Sequence, residues 1–195
     1  MWRDKPTNGK YPKPMHETDL TPNRFIIFLM VLVVVIFFLT PAHAIVSILG
    51  DSAGEISLQR ELFLLEDPTK TLSIQDVTKD YAEKFVLNDT GKTSYGYSNS
   101  AFWIKFTIFK DHHNSAAWYL KHNYPHLDLV EFYAPKKDGT YALTKTGDTF
   151  IFGDRVVPCR LFIFPVFPEE TGSTYYLRLS SKGVINFDLS LVDGQ

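Results

Sequence analysis

Two stretches of the sequence each carry an aromatic side chain two residues before a basic one. Trp103 precedes Lys105, and Tyr176 precedes Arg178, in segments whose alternating pattern predicts β-strands. Residues two apart on a strand face the same way, so each pair shares one face of a sheet. If the two strands lie in one sheet, an indole and a phenol meet an ammonium and a guanidinium, which is the chemistry that binds a sugar ring or a small acidic molecule. We therefore take these four residues as candidate ligand-binding residues.

The same residues have a structural alternative. A large aromatic side chain on a strand often packs beneath a loop, and Trp103 would then be buried instead of facing a ligand. Arg178 would in that case pair with a nearby carboxylate such as Glu131 or Asp188. The sequence leaves both interpretations open.

Two further arginines flank Pro158 and Cys159 in a predicted loop. Arg155 and Arg160 are candidates for the mouth of a site that binds an anion, and we add Arg160 to the candidate ligand-binding residues. The alternative is that both are solvated loop charges.

No pattern in the sequence predicts a catalytic site, a metal site or a cofactor. The acidic residues lie mostly in predicted turns, and no Ser, His and Asp stand out as a triad. His122 and His126 have the spacing of a helical metal pair, but Pro125 and the predicted strands around them argue against convergence of the two rings. A glycoside-active enzyme, which needs two carboxylates facing each other across a cleft, is kept as an alternative.

Composition limits the number of domains and the classes of partner. A chain of 195 residues is long enough for one well-filled domain plus a targeting segment. With 45% hydrophobic and 22% charged residues, it has the composition of a folded chain. The formal net charge of −2 provides no basic excess for binding nucleic acid. Cys159 is the only cysteine, so no disulfide forms within the chain.

The N-terminal part has the layout of an export signal. Residues 25–39 form an uninterrupted apolar run after Arg24, and Pro41 and the motif Ala42-His43-Ala44 follow it. This layout predicts a signal peptide cleaved after Ala44, with an uncleaved membrane anchor as the alternative. Both place the rest of the chain outside the cytoplasm. The predicted organisation is a leader (1–44), a linker (45–56) and a folded domain (57–193).

The part after the linker has the pattern of short strands. Residues 101–109 alternate as a long central strand, residues 111–115 predict a hairpin turn, and residues 117–122 predict its returning partner. Ser73, with Asp76 three residues later, predicts a capped helical turn. Further strands are predicted over residues 56–65, 127–134, 141–145, 150–152, 161–166, 174–180 and 184–192. About nine short strands with hardly any helix predict an all-β fold, a β-sandwich of jelly-roll type.

Several of these segments, taken in order, resemble one known family. They are residues 96–106 (GYSNSAFWIKF), residues 124–133 (YPHLDLVEFY), Thr146-Gly147-Asp148, residues 160–165 and residues 175–180 (YYLRLS). Together they resemble the second type of periplasmic sensor domain of bacterial seven-transmembrane receptors with diverse intracellular signalling modules (7TMR-DISM). The resemblance covers nearly all of the part that we predict to be exported.

The resemblance implies a jelly-roll domain similar to carbohydrate-binding modules, located in the bacterial periplasm. Such a domain is expected to bind a carbohydrate or a small acidic ligand and to pass a signal through seven membrane helices to a cytoplasmic output module. The chain stops at Gln195, where those helices are expected, so we expect a truncated receptor, a fragment or a free-standing version. Attachment to the inner membrane, through the N-terminal segment or the expected helices, is a further expectation, and a homodimer is left open. The alternative function is a structural or protein-interaction sandwich without a small ligand.

Overall fold

The computed structural model describes residues 54–110 and 116–194, together with the backbone of residues 45–48. The described residues contain one α-helix, α1 (Ile74–Thr78), and short 3-10 helices at Gln59–Glu61, Ala82–Lys84 and Phe152–Asp154. Their strands are β1 (Ile45–Ile48), β2 (Glu55–Ser57), β3 (Phe63–Asp67), β4 (Val86–Leu87), β5 (Ser94–Tyr97), β6 (Ala101–Lys110), β7 (Trp118–His122), β8 (Leu129–Pro135), β9 (Tyr141–Thr146), β10 (Phe162–Val166), β11 (Ser173–Ser180), β12 (Val184–Asn186) and β13 (Leu189–Asp193).

Seven strands form the larger of two sheets, with β6 at its centre. Its order is β4-β3-β6-β11-β8-β9, and β1 also pairs with β6. One edge of β6 is occupied by β11, and the other by β3 over residues 101–105 and by β1 over residues 107–110. The β1 pairing is parallel and the others are antiparallel. Both edges of the central strand are therefore filled.

Four strands form the smaller sheet, which is antiparallel with the order β10-β7-β13-β2. In this sheet β13 lies between β7 and β2. Strands β5 and β12 form a separate two-stranded ribbon. We call the face of the larger sheet that is turned toward the smaller sheet the inner face, and the opposite one the outer face.

The inner face of the larger sheet packs against the smaller sheet. Phe102 and Ile104 of β6 point inward and are 3% and 0% exposed. The rings of Phe132 in β8 and Phe164 in β10 stack with centroids 4.7 Å apart, which joins the two sheets directly. Two sheets packed on a common apolar core form a β-sandwich, as the sequence predicts.

Four strand predictions differ from the structure. Residues 56–65 do not form one strand, because the chain passes from the smaller sheet (β2) through the 3-10 helix Gln59–Glu61 to the larger sheet (β3). The segment predicted as the hairpin partner of β6 is β7, which pairs with β10 and β13 in the smaller sheet because both edges of β6 are already filled. Residues 150–152 do not form a strand; all three side chains are exposed, so no face of a strand would be buried there. Residues 184–192 divide into β12 and β13 at a turn in which the Asn186 side chain accepts a hydrogen bond from the Asp188 N–H (2.8 Å).

Other predictions fall on the beginning of the chain or on the turn after β6. Strand β1 lies within residues 45–56, the stretch predicted as a linker, and β2 begins in that stretch and ends at Ser57. The leader, its cleavage site after Ala44 and the hairpin turn at residues 111–115 lie outside the described residues. None of the described helices is long and apolar enough to cross a membrane.

Helix α1 begins at the capping box that the sequence predicts. The Ser73 Oγ accepts a hydrogen bond from the Asp76 N–H (3.3 Å), and the Asp76 carboxylate accepts one from the Ser73 N–H (2.8 Å). The hydrogen bonds that the Asp76 carboxylate accepts from the Ser73 N–H and from the Ser73 hydroxyl (2.7 Å) hold the pKa of Asp76 below its usual value. Val77 is the buried residue of this helix, and it packs against the outer face of the larger sheet.

His122 is a buried histidine with a defined tautomer. It lies at the end of β7 and is 0% exposed. Its Nδ1 accepts a hydrogen bond from the Tyr124 N–H (3.2 Å), so Nε2 carries the proton and donates to the Asn186 carbonyl oxygen (2.9 Å). Burial lowers the pKa of His122 to about 4.

We expect the domain to lose stability as the pH falls from about 6.5 to about 4. In this window the unfolded chain binds a proton at His122 and the folded chain does not, so protonation favours unfolding, by about 3 kcal/mol over the whole window. Urea unfolding at pH 7 and pH 4.5 measures the effect, and His122→Gln should remove this part of the pH dependence. The exposed His126 is the control, because His126→Gln should retain it. An equal acid loss in wild type and His122→Gln would assign the sensitivity to other groups.

Candidate functional site

Four of the five candidate residues lie side by side on the outer face of the larger sheet. Arg178 of β11 is directly opposite Trp103 of β6, and Tyr176 is opposite Lys105. They meet because β6 and β11 are neighbouring antiparallel strands, in which residues in register lie about 5 Å apart. Each pair is extended across the sheet by its partners on β8 and β9. Glu131 and Lys145 continue from Arg178, and Tyr133 and Leu143 continue from Tyr176.

Trp103 does not form an open platform. It is 0% exposed, and its ring centroid lies 5.4 Å from that of Tyr133. Residues 68–85, which connect β3 to β4 and which we call the cover, place Val77 and Phe85 in the same apolar cluster. The interpretation of Trp103 as an exposed stacking surface therefore does not match the structure. The apolar side chains of the cover bury themselves on the outer face and enclose the indole.

Arg178, Glu131 and Lys145 form a network of charged groups on the outer face. Arg178 Nη1 lies 2.8 Å from Glu131 Oε2, and Lys145 Nζ lies 2.8 Å from Glu131 Oε1. The Glu131 side chain is 7% exposed and that of Arg178 13%, whereas that of Lys145 is 51% exposed. Burial would raise the pKa of Glu131, but the hydrogen bonds from the two basic side chains outweigh it and hold this pKa below its usual value. Of the pairings considered for Arg178, the structure contains the one with Glu131.

The start of the cover is fixed by Asp67, at the end of β3. Its buried carboxylate accepts hydrogen bonds from the N–H groups of Thr69 (3.1 Å), Lys70 (2.9 Å) and Leu72 (3.1 Å). This turn holds Lys70 at a positive φ of 58°, and the Lys70 carbonyl oxygen accepts a hydrogen bond from Arg178 Nη2 (2.8 Å). Arg178 therefore joins the cover to the sheet.

Lys105 and Tyr176 form part of the covered cluster. Lys105 Nζ lies 4.9 Å from the ring centroids of both Phe63 and Phe85, and burial lowers its pKa. The Tyr176 ring meets Phe85 edge-on, with centroids 6.0 Å apart, and burial raises the pKa of its hydroxyl. Tyr176 is buried and presents no free surface to a ligand, and Lys105 is half-buried with its ammonium group over the two rings.

Arg160 lies apart from the other four candidates. It is exposed in the loop between β9 and β10 and, within the described part of the chain, its side chain makes no hydrogen bond or ion pair with them. Arg155 organises this loop, because its Nη1 donates to the carbonyl oxygens of Cys159 (2.7 Å) and Arg160 (2.6 Å). The Arg155 guanidinium also lies over the rings of Phe152 and Phe162, 5.0 and 4.8 Å from their centroids. The role of Arg160 in ligand binding stays a prediction.

An open groove continues the outer face beyond Tyr176. It lies between two turns, residues 136–140 and residues 167–172, and has a volume of about 610 Å³. The ring of Tyr141, which lines it, meets the ring of Tyr176 edge-on with centroids 5.4 Å apart, so the groove adjoins the candidate residues. The groove is lined by Pro135, Lys136, Lys137, Gly139, Tyr141, Phe167, Glu169, Gly172, Ser173 and Thr174. We call it the turn groove.

A second groove, of about 310 Å³, lies at the opposite edge of the larger sheet. Its floor includes Leu64 and Phe102, and its rim carries the exposed Glu66, which accepts a hydrogen bond from Ser100 (2.5 Å). Lys92 Nζ already lies over the ring of Tyr95, 4.1 Å from its centroid. This groove contains none of the five candidate residues.

The turn groove was not predicted from the sequence. Asp138-Gly139 is a turn signal, but no pattern assigns a role to the two lysines that precede it. Phe167 lies between a strand and Pro168 and follows no alternating pattern, so it could not be assigned to the core. A phenylalanine outside any pattern, together with a lysine pair in a turn, is the signal that was available.

The described residues contain no group of three or more His, Cys, Asp or Glu side chains arranged to hold a metal ion. The outer face carries charged and aromatic side chains. The cover lies over some of them, and others are accessible at the turn groove. This combination supports recognition of a polar ligand through hydrogen bonds and ring contacts. The described residues thus form a β-sandwich whose outer face is charged, aromatic and partly covered.

The chain belongs to the family described as 7TMR-DISM extracellular 2, whose sequence profile matches residues 59–193, well over half of the chain. The predicted resemblance to this family is therefore confirmed. The chain is a sensory, extracytoplasmic domain of a membrane receptor. This is a family of receptor sensor domains and not a known enzyme family. No curated protein matches the sequence.

Proposed function

We propose that this domain senses a carbohydrate or a small acidic ligand in the bacterial periplasm, by binding it without chemical conversion. The observation that carries the proposal is the position of the turn groove at the end of the outer face. There, the aromatic surface of Tyr141 adjoins the covered cluster that contains Tyr176. Aromatic walls beside charged side chains recognise hydroxylated rings and carboxylates.

The candidate residues then contribute to binding through the residues that they contact. Tyr176 packs edge-on against Tyr141, and Trp103 and Lys105 pack beneath the cover. Arg178 holds Glu131 and the cover in place, so its effect on a ligand is indirect. Under this proposal a conservative change at these buried positions alters stability more than ligand affinity.

A thermal-shift screen of the purified protein against neutral sugars, sugar acids and dicarboxylates tests the proposal. A ligand that binds only the folded state raises the melting temperature in proportion to RT ln(1 + [L]/Kd). We expect at least one of these classes to raise it, with the compound recovered unchanged afterwards. Recovery of a hydrolysed glycoside would favour an enzyme instead. Absence of any shift, in a protein that melts cooperatively, would contradict ligand sensing by these classes.

A second candidate function is a sandwich that signals through protein contacts. It is favoured by an exposed apolar stretch in the loop between β9 and β10, in which Ile151 is 74% exposed and Phe152 53% exposed. Self-association or partner binding that is lost in Ile151→Ser, together with no shift in the ligand screen, would favour this function.

A further inference from the structure

The turn groove carries an aromatic side chain that makes little contribution to the fold. Phe167 is 79% exposed, so most of its apolar surface lies in water. Because the ring lines a groove, its open face is available to stack against a ligand. The contribution of this ring to ligand binding depends on how firmly the surrounding backbone is held.

The turn that presents Phe167 is held by several hydrogen bonds. The Phe167 N–H donates to the Tyr175 hydroxyl oxygen (3.1 Å), and the Glu169 N–H donates to Ser173 Oγ (3.0 Å). Gly172, at a φ of 94°, donates its N–H to the Glu169 carbonyl oxygen (3.0 Å). The backbone that presents the Phe167 ring is therefore fixed, which reduces the entropy lost by this turn when a ligand binds.

The opposite turn is held as firmly and presents two ammonium groups. The Lys136 N–H donates to the Thr140 carbonyl oxygen (2.8 Å), and the Asp138 carboxylate accepts from both the Thr140 N–H (2.9 Å) and its hydroxyl (2.6 Å). Asp138 is thus engaged within the turn. Among the described residues, neither Lys136 nor Lys137 forms an ion pair.

Between the two turns lies a polar floor. The hydroxyls of Thr174 and Thr107 are hydrogen-bonded to each other (2.9 Å), and the half-buried Tyr141 forms a second aromatic surface. The Glu169 side chain adds one carboxylate, so the groove lining contains two positive charges and one negative charge. This set suits a ligand that has a ring face, several hydroxyls and one acidic group.

We propose that the turn groove binds a sugar acid, with its ring against Phe167 and its carboxylate at Lys136 and Lys137. The Glu169 carboxylate accepts hydrogen bonds from the ring hydroxyls. The Thr174 hydroxyl accepts a hydrogen bond from a ring hydroxyl or donates one to it. This inference rests on the proposed function, and it gives that function a site and a ligand class.

Isothermal titration of the purified full chain with D-galacturonate, D-galactose and acetate tests the inference. We expect D-galacturonate to bind about 10-fold more tightly than D-galactose at low salt, and this preference to shrink as salt screens the lysines. The double variant Lys136→Gln/Lys137→Gln should lose that preference. Phe167→Ala should weaken the binding of both sugars by about 10-fold, and acetate, which has no ring, should bind least.

Matched variants at other surfaces provide the controls. Phe152→Ala removes another exposed phenylalanine, and Lys182→Gln removes another exposed lysine, so both should bind D-galacturonate as the wild type does. Binding of D-galacturonate that is the same in the wild type and in the groove variants would overturn the turn groove as the site and leave the proposed function standing. No binding of either sugar, together with no hit in the thermal-shift screen, would overturn both.

Discussion

Replacement of Glu131 by leucine is expected to destabilise the domain by about 3–5 kcal/mol, because it leaves a buried guanidinium without its carboxylate. Arg178 is bound to Glu131 on one side and to the Lys70 carbonyl oxygen on the other, and its side chain is 13% exposed. Without the Glu131 carboxylate, the guanidinium of Arg178 loses a charged hydrogen-bond acceptor that solvent replaces poorly at this low exposure. Urea unfolding at pH 7 measures the loss, as a lower midpoint at an unchanged slope.

Two variants show whether the effect comes from the unpaired charge. Lys145→Met removes the other partner of Glu131, but Lys145 is half exposed, so a loss below about 1 kcal/mol is expected. The double variant Glu131→Leu/Arg178→Met removes both buried charges and should be more stable than Glu131→Leu alone. If the double variant proves less stable than the single one, the cost lies in lost packing or in the lost contact with Lys70.

Gly147→Ala is expected to destabilise the domain by about 3 kcal/mol, because the added methyl group meets backbone atoms. A Cβ at this position would lie 2.0 Å from the Asp128 carbonyl oxygen and 2.6 Å from its carbonyl carbon. Residues 147–149 and residues 127–128 are hydrogen-bonded to each other at this point. The Asp148 N–H donates to the Leu127 carbonyl oxygen (2.8 Å), and Thr149 Oγ1 donates to the Asp128 carbonyl oxygen (2.7 Å). The alanine variant must therefore separate them. Thermal unfolding should show a melting temperature lower by several degrees.

Gly153→Ala is the matched control in the same loop. A Cβ on Gly153 would meet no atom within 4 Å, and its backbone has no positive φ in the strained range, so stability should stay within about 0.5 kcal/mol of wild type. A Gly147→Ala variant as stable as Gly153→Ala would show that residues 127–128 move away at little cost.

The β-sandwich was predictable from local pattern, whereas the sheet that each strand joins was not. The alternation in β6 identifies a strand with an apolar face, and Ser73 with Asp76 identifies the start of α1. The location of β7 depends on β1, β3 and β11, which fill both edges of β6 and come from distant parts of the chain. No window of neighbouring residues contains that information.

The candidate site was predictable in part for the same reason. The spacing of Trp103, Lys105, Tyr176 and Arg178 placed them on common faces, and the structure brings all four together. The sequence left open whether Trp103 is exposed or packs beneath a loop, because the choice depends on where the 18 residues of the cover lie. The turn groove is formed by two turns about 30 residues apart in the chain, and only folding brings Lys137 near Phe167.

The order of strands in the smaller sheet has a consequence for when the domain can fold. Strand β13, the last described strand, lies between β7 and β2, and Ser190 within it donates a hydrogen bond to Glu55 of β2 (2.6 Å). In a chain whose segments cross a membrane in the order of the sequence, β2 and β7 cross well before the strand that must separate them. The smaller sheet can therefore be completed only after residues 189–193 have crossed, although every strand of the larger sheet ends by residue 180. Closure of the smaller sheet is the step that has to wait for the end of the domain.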